Sequence, residues 1–573
     1  MRAARRLLLC TALALLAACR QEPAPPTAAG PAFDLLITNA TVVDGTGAER
    51  YVADVAITDG RIAAVGSLAD ERAIEVIDAA GMILAPGFID VHSHADRAFA
   101  NPATAGMEGF LRQGVTTAVY GIDGFMSLDD LDRYVAIAES GGTGMNFMAF
   151  IGHNSVRRAV LGDEDRSPSA AELERMRDIV GEAMERGALG LSSGLMYLPG
   201  RYATSEELIE LASVVAPYGG IYDSHVRDPA NNLLASHQEC LDIAYAAGVH
   251  AHPAHVKAVG AKNFGKGPEF VALIETAIER GQSVTVDLYP YDGAATRPVI
   301  ALLYPADDDR GRTLMRQLSA LLAGEETDTD IPTLTAGLKA YWQEITDDPA
   351  RYEQARRNSE EPAEGVFSWI DTVGYESMRI VVSARDGYES RMVTELAADL
   401  GISPFELFRR LAVEEGAGAV VTLGAIREDD LRVILKQPWA MIASDGEELA
   451  PSHPRGRGTF ARVLGRYVRE WNVLTLEEAV YKMSGLPASY LQLPDRGVIR
   501  EGAVADIVVF DAERIIDHAT WSEPSRYAEG VVHVLIGGEF VLRAETSTGS
   551  RVGRYIPFVA EPGSGAADPQ AAI

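Results

Sequence analysis

The sequence predicts a (β/α)8 barrel carrying a small β-sandwich assembled from both chain ends. Three observations lead there. Between residues 86 and 486, apolar strand-like runs end near Val91, Tyr120, Ile151, Leu191, Tyr222, Ala254, Val286 and Ala443, with helical patterns between several of them. Eight such units in about 360 residues fit one large barrel with insertions. Both flanks of that span read instead as β-structure. Finally, the 573 residues are 47% hydrophobic and 23% charged, which supplies a large core and rules out disorder as the main state.

The chain opens on an address rather than a fold. Arg2, Arg5 and Arg6 precede an apolar run from Leu7 to Ala18. That run is too short to span a bilayer but fits the core of a secretion signal. Its end, Leu16-Ala17-Ala18-Cys19, resembles the lipobox of bacterial lipoproteins. The resemblance implies that residues 1–18 are a signal peptide, removed before lipidation of Cys19. The only contact with a membrane would then be that lipid anchor. The expected location is the bacterial cell envelope, on the periplasmic side, and the outer membrane in a Gram-negative cell, because Arg20 is not an aspartate. Arg5-Arg6 is a faint mark of twin-arginine export. Residues 19–32, rich in Pro and Ala, read as a tether, and residues 557–573 as a flexible tail.

Residues 33–85 form the first β flank, in which strands surround Asp44-Gly45 and Asp59-Gly60, the dipeptides of tight hairpins. Residues 487–556 form the second, with Ala505 to Asp511 and a hairpin pattern around Gly537-Gly538. Neither is large enough to stand alone, so the two are expected to pair. Within the barrel, helices are predicted at Ala170 to Arg186, Ser205 to Val215 and Glu269 to Arg280, the second opened by a capping box of Thr204 and Glu207. A polar, helical insertion is expected at about 307–364, between strands seven and eight.

Charge narrows the partners. Lys and Arg number 51 against 82 Asp and Glu, a net charge of −31, which argues against nucleic acid and leaves a small molecule as the expected partner. Composition does not determine an oligomeric state. Cys10, Cys19 and Cys240 cannot build a disulfide framework.

The strongest local signal is Pro86-Gly87-Phe88-Ile89-Asp90-Val91-His92-Ser93-His94. Two histidines at i and i+2 on a strand point to the same side, and neutral imidazoles are good Zn²⁺ ligands. His225, His255 and Asp445 also fall where predicted strands end. Histidines that hold a cation, with a carboxylate beside the bound water, are the inventory of metal-assisted hydrolysis, and Asp445 is the candidate base. His250 and His252 lie earlier on the strand of His255 and read as packed or surface groups rather than ligands.

Here the sequence resembles the N-acyl-D-amino-acid deacylases (D-aminoacylases) of the amidohydrolase superfamily. Carrying the resemblance, besides the His-x-His stretch, are Gly114-Val115-Thr116-Thr117, Gly152-His153-Asn154, Gly187 to Gly200, Ser224 to Asp228, Asp287-Leu288-Tyr289-Pro290-Tyr291, Ser444-Asp445-Gly446 and His453-Pro454-Arg455. It implies that His225 and His255 hold a tight zinc. His92, His94 and Asp445 would surround the hydrolytic water and a second, weaker divalent metal. Asp445 would act as base and then acid. Tyr197, Lys257, Tyr289 and Arg455 would line the substrate pocket, with Arg455 and Tyr289 (or Tyr291, one register away) gripping an α-carboxylate, as a guanidinium fork suits.

Two departures stand out. Related cyclic-amide hydrolases carry a carboxylated lysine at the end of strand four, where this chain has Leu191-Ser192-Ser193-Gly194. D-aminoacylases place a metal-binding cysteine after strand two, where this chain has Gly121-Ile122-Asp123-Gly124. Asp123 is therefore a candidate ligand, with an Asx-turn facing its own backbone as the alternative. The expected function is metal-dependent hydrolysis of N-acyl-D-amino acids or related D-residue peptides. The alternatives are a dipeptidase-like enzyme acting on peptidoglycan fragments and a catalytically silent binding lipoprotein.

Overall fold

Short, almost wholly buried strands follow one another around a closed barrel: Phe88–Asp90, Val115–Tyr120, Asn146–Ala149 continued by Ile151–Gly152, Gly190–Gly194, Ile221–His225, His250–Pro253, Val286–Leu288 and Ala440–Ile442. Neighbours pair in parallel, and single bridges at Ala251–Val284 and Ser93–Gly446 close the remaining gaps. Strands covered on both faces favour apolar runs without alternation, as in Val115–Tyr120 and Ala440–Ile442. The computed structural model describes residues 32–559, apart from 99–100, 102, 323–329, 364–365, 367, 425 and 450–451. The expected signal segment, Cys19, the tether up to residue 31 and the tail beyond 559 lie outside the described residues. Among the described residues, no helix is long and apolar enough to cross a membrane.

The two β flanks share one nine-stranded sheet. Its seam is Ile83–Pro86 against Ile507–Phe510, antiparallel, with Ile507 opposite Pro86. Alternation along this seam joins the two units: Ile507 and Val509 enter the sheet's own core with Leu35, Val55 and Leu84. Val508 and Phe510 enter the barrel core, where Phe510 lies 6.4 Å from the ring of Phe88 on barrel strand one.

Two local expectations change. The helix Ser205–Val215 starts where predicted, and Thr204 caps it by accepting the Glu207 N–H at 3.3 Å. The reciprocal half of the box is not formed, because the Glu207 carboxylate turns to His153 and Arg157. The excursion between strands seven and eight holds helices such as Ile331–Thr346 and Pro349–Glu360, and also a three-stranded antiparallel sheet of Ala295–Pro298, Met378–Val382 and Val420–Leu423. Its strands are short and far apart in sequence, so no hairpin signal announced it. This sheet ties the excursion to the barrel mouth through Thr296, whose hydroxyl donates to the Ser452 carbonyl at 2.7 Å.

Candidate metal centre and active site

Each proposed ligand sits at or just past the C-terminal end of a barrel strand, where side chains face the mouth. His92 and His94 follow strand one. Asp90, fully buried beneath them, accepts hydrogen bonds from the Ser444 N–H at 2.9 Å and from the Ser444 hydroxyl. The Asp445 N–H donates to the His92 carbonyl at 2.8 Å, so strands one and eight are stitched at the site itself.

Asp123 lies in a tight turn with φ +57°, flanked by Gly121 at +71° and Gly124 at +81°. A Cβ on Gly124 would stand 2.3 Å from Asn154 Oδ1, so this approach requires glycine. Ser192, on the strand where cyclic-amide hydrolases place their lysine, braces the turn. Its hydroxyl donates to the Gly121 carbonyl and accepts the Gly124 N–H at 3.1 Å. The Asp123 carboxylate consequently faces the histidines and not its own backbone. Asp445 and His255 also occupy the left-handed region, at φ +47° and +33°. Three non-glycine residues held there within one site mark a constrained functional constellation.

The side chains converge. Asp123 Oδ1 stands 3.6 Å from His92 Nε2, 3.5 Å from His225 Nδ1 and 3.4 Å from His255 Nε2. Its Oδ2 stands 3.5 Å from His94 Nε2. Asp445 Oδ1 lies 3.2 Å from His94 Nε2 and 3.7 Å from His92 Nε2. Ligand atoms that share a tetrahedral ion at about 2.0–2.1 Å stand roughly 3.3 Å from one another. These separations match that spacing and are mostly too long for hydrogen bonds. Both ring nitrogens of His92 and Oδ1 of Asp123 are buried without a hydrogen-bond partner. Two overlapping groups, His92 with His94 and Asp445, and His92 with Asp123 and His255, have ligand atoms close enough to hold a metal ion. The donor set of imidazoles and carboxylates fits zinc.

Electrostatics agree with a cation site. Burial disfavours the charged form of Asp445, yet Arg455 first, then His255 and His94, hold its carboxyl well below the usual range. Asp123 is likewise held low against burial by His225 and His255. Burial opposes charge on His92 too, but Asp287, Asp123 and Asp445 together lift it to about 9.

Around this centre stand the pocket candidates. Arg455 Nη1 reaches Asp445 Oδ2 at 2.6 Å, and the guanidinium lies 4.7 Å above the Tyr289 ring. His453 holds this arginine by accepting its backbone N–H at 3.1 Å. Lys257 sits 5.1 Å from the same ring and donates to the His255 carbonyl at 2.8 Å. Burial lowers its ammonium to about 8. Tyr289 is buried, its hydroxyl donating to the Ala294 carbonyl at 3.1 Å. The Tyr197 hydroxyl lies 3.5 Å from His225 Nδ1. Tyr291 points away, toward Asp517.

The sequence reading gave no role to Asp90 or Asp287. Asp287 Oδ1 accepts the His255 N–H at 3.0 Å, and its Oδ2 lies 3.5 Å from His92 Nδ1. The signal was present in Asp287-Leu288-Tyr289, but an acid inside a strand is silent until its neighbours are known. His250 and His252 are packed inside the barrel rather than at its surface.

Comparison with known proteins places this arrangement. A model of the amidohydrolase family matches residues 75–216 and 371–542. A D-aminoacylase from Alcaligenes xylosoxydans xylosoxydans is 32% identical over 548 residues, spanning 91% of this chain and 97% of that protein. The crystal structure of an N-acyl-D-glutamate deacylase from Bordetella bronchiseptica, complexed with zinc and a phosphonate mimic of the tetrahedral intermediate, is 31% identical. It superposes with a TM-score of 0.70, covering 92% of this chain and 99% of that one. A structure of D-aminoacylase determined to study its binuclear metal centre is 29% identical with a TM-score of 0.69, covering 91% and 99%. With its barrel, its accessory sheet and its cluster of histidines and aspartates, this chain belongs to the amidohydrolase family.

Proposed function

We propose that this protein hydrolyses the amide bond of N-acyl-D-amino acids, or of related peptides ending in a D-residue, using a metal-activated water. The carrying observation is the convergence of His92, His94, Asp123, His225, His255 and Asp445 at spacings of 3.2–3.7 Å. Relatives that act on N-acyl-D-amino acids support the substrate class. The silent-lipoprotein alternative is disfavoured because every one of these costly buried groups is present.

His225, His255 and Asp123 would hold a tight zinc, and His92, His94 and Asp445 a second, weaker divalent ion. Such a cation, when bound, brings the pKa of its water to about 7. Asp445, kept ionised by Arg455, accepts the proton of the attacking water and returns it to the leaving amine. Arg455 binds the substrate α-carboxylate, with Tyr289 and Lys257 beside it, while Tyr197 walls the opposite side. A carboxylate at position 123 is a harder ligand than a thiolate, so Mn²⁺ and Co²⁺ should be accepted more readily than at a cysteine site. Anchoring through Cys19 on the periplasmic side of the envelope is supported by Leu16-Ala17-Ala18-Cys19 and the basic residues before it.

The test is a panel of N-acetyl-D and N-acetyl-L amino acids, assayed before and after chelation and after zinc return. D-selective hydrolysis that chelation abolishes and zinc restores is expected. Activity indifferent to chelation, or selective for L-substrates, sinks the reading.

A further inference from the structure

A continuous chain of hydrogen-bonding groups runs from the metal centre down through the barrel interior. Asp287 Oδ2 lies 2.9 Å from His252 Nε2. His252 Nδ1 lies 2.9 Å from Thr285 Oγ1, which is 2.7 Å from His250 Nε2. His250 Nδ1 lies 2.8 Å from Ser283 Oγ, at the partly exposed lower end of strand seven. His252, Asp287 and Thr285 are buried to within 1% exposure and His250 to 5%, and Tyr490 packs on both imidazoles at 4.6 and 5.4 Å. None of these residues is among the proposed ligands, and the mechanism uses none of them.

With both imidazoles neutral, the donors and acceptors of this chain align in one direction. Asp287 Oδ1 already accepts the His255 N–H, and the contact at Oδ2 is satisfied when His252 Nε2 carries the proton and donates it. Burial disfavours charge on both imidazoles, lowering His252 and bringing His250 to about 3. His252 Nδ1 is then bare and accepts from the Thr285 hydroxyl. That oxygen accepts from His250 Nε2–H, and His250 Nδ1 accepts from Ser283. Every proton in the chain points toward Asp287. At its upper end Asp287 serves two ligating residues at once. One oxygen accepts the backbone N–H of His255, whose φ of +33° needs such restraint. The other faces the Nδ1 edge of His92 at 3.5 Å, opposite the Nε2 edge turned to Asp123 and Asp445. Asp223, buried with both oxygens unpartnered, is the competing neighbour, since it lies with Asp287 and His92 in one close group.

Resting on the metal centre read above, we propose that Asp287, keyed by the Ser283–His250–Thr285–His252 chain, is the positioning residue that holds His255 and His92 in metal-ready orientation. Partners of this kind, one shell behind the ligands, typically change metal affinity by 10–100-fold.

Chelator competition on purified protein measures the zinc affinity directly. His252→Leu should weaken it about 10–100-fold, and His252→Gln, which keeps a donor toward Asp287, should restore most of the loss. Thr285→Val, which cuts the chain without touching Asp287, should give a smaller weakening of the same sign. A folded His252→Leu protein that holds zinc as tightly as the parent overturns the proposal alone. A parent with no zinc affinity overturns the reading of the site itself. Should His252→Leu fail to fold, ¹⁵N NMR of the histidine-labelled metal-free parent decides. His250 and His252 must both be protonated on Nε2 and bare on Nδ1, and the opposite tautomer at His252 overturns the proposal.

Discussion

Two buried clusters of histidine and carboxylate in this barrel differ in one respect. Beside strand three, His153 Nε2 meets Glu207 Oε1 at 2.9 Å, and Arg157 Nη1 meets Glu207 Oε2 at 2.5 Å. Arg157 Nη2 donates to the Arg166 carbonyl at 2.6 Å. Charges are paired at hydrogen-bond distance, and the cation is built into the chain. At the mouth, four histidines surround Asp123 and Asp445 at 3.2–3.7 Å, with buried nitrogens and an oxygen left unpartnered. The first cluster carries its own cation against its carboxylate, with Arg157 Nε its one buried atom left without a partner. The second has the spacing that a bound ion would fill. Spacing, more than residue type, separates a structural cluster from a metal cradle.

The sharpest test of that contrast is Asp445→Asn. The amide keeps the shape but cannot accept the proton, so kcat should fall at least 100-fold, the usual scale of general-base loss. A near-normal kcat would return Asp445 to the structural class. Next in size is Arg455→Met, which should raise KM for acidic substrates by about 10–100-fold, the worth of a charged contact at roughly 1.5–3 kcal/mol. The same variant should be indifferent to N-acyl-D-amino-acid amides, which lack the charge, and equal parent kcat/KM for acid and amide would remove the proposed pairing. Asp123 tests the cradle by metal count. Asp123→Ala should lose bound zinc together with activity, and Asp123→Cys should retain a metal. Unchanged metal content in Asp123→Ala would make it a turn residue only. At the structural cluster, Arg157→Met should cost about 3–5 kcal/mol of stability by stranding a buried charge. The folded fraction should keep its zinc and its kcat, and a selective loss of zinc there would erase the distinction between the clusters.

What the sequence disclosed follows the same physics. Strands such as Val115–Tyr120 and Ala440–Ile442 were legible as apolar runs, while Gly190–Gly194, Ile221–His225 and His250–Pro253 carry serine, aspartate or histidine within them and were placed by the runs and turns around them. The three-stranded sheet of the excursion was not, since its pairs join residues such as Ala295 and Leu423 across a long stretch of helix. The half-formed capping box shows a local rule yielding to a tertiary one: Glu207 satisfies a buried arginine and histidine instead of a solvent-side N–H. Asp90 and Asp287 carry no signal of their own in the sequence, because their contacts are made through the residues they touch.

The seam at Ile507–Phe510 has a consequence for how this molecule is made. The strand that leads directly into the His92 and His94 segment is finished on one edge by residues from the far end of the sequence. A chain emerging from its N-terminus therefore leaves Ile83–Pro86 open on one edge until its last quarter is available, and the closing contact is of very long range. Such topologies fold slowly. Truncation before residue 510 should yield aggregation-prone protein rather than a smaller working barrel. During biogenesis the metal ligands on strand one would be the last part of the cradle to acquire a rigid support.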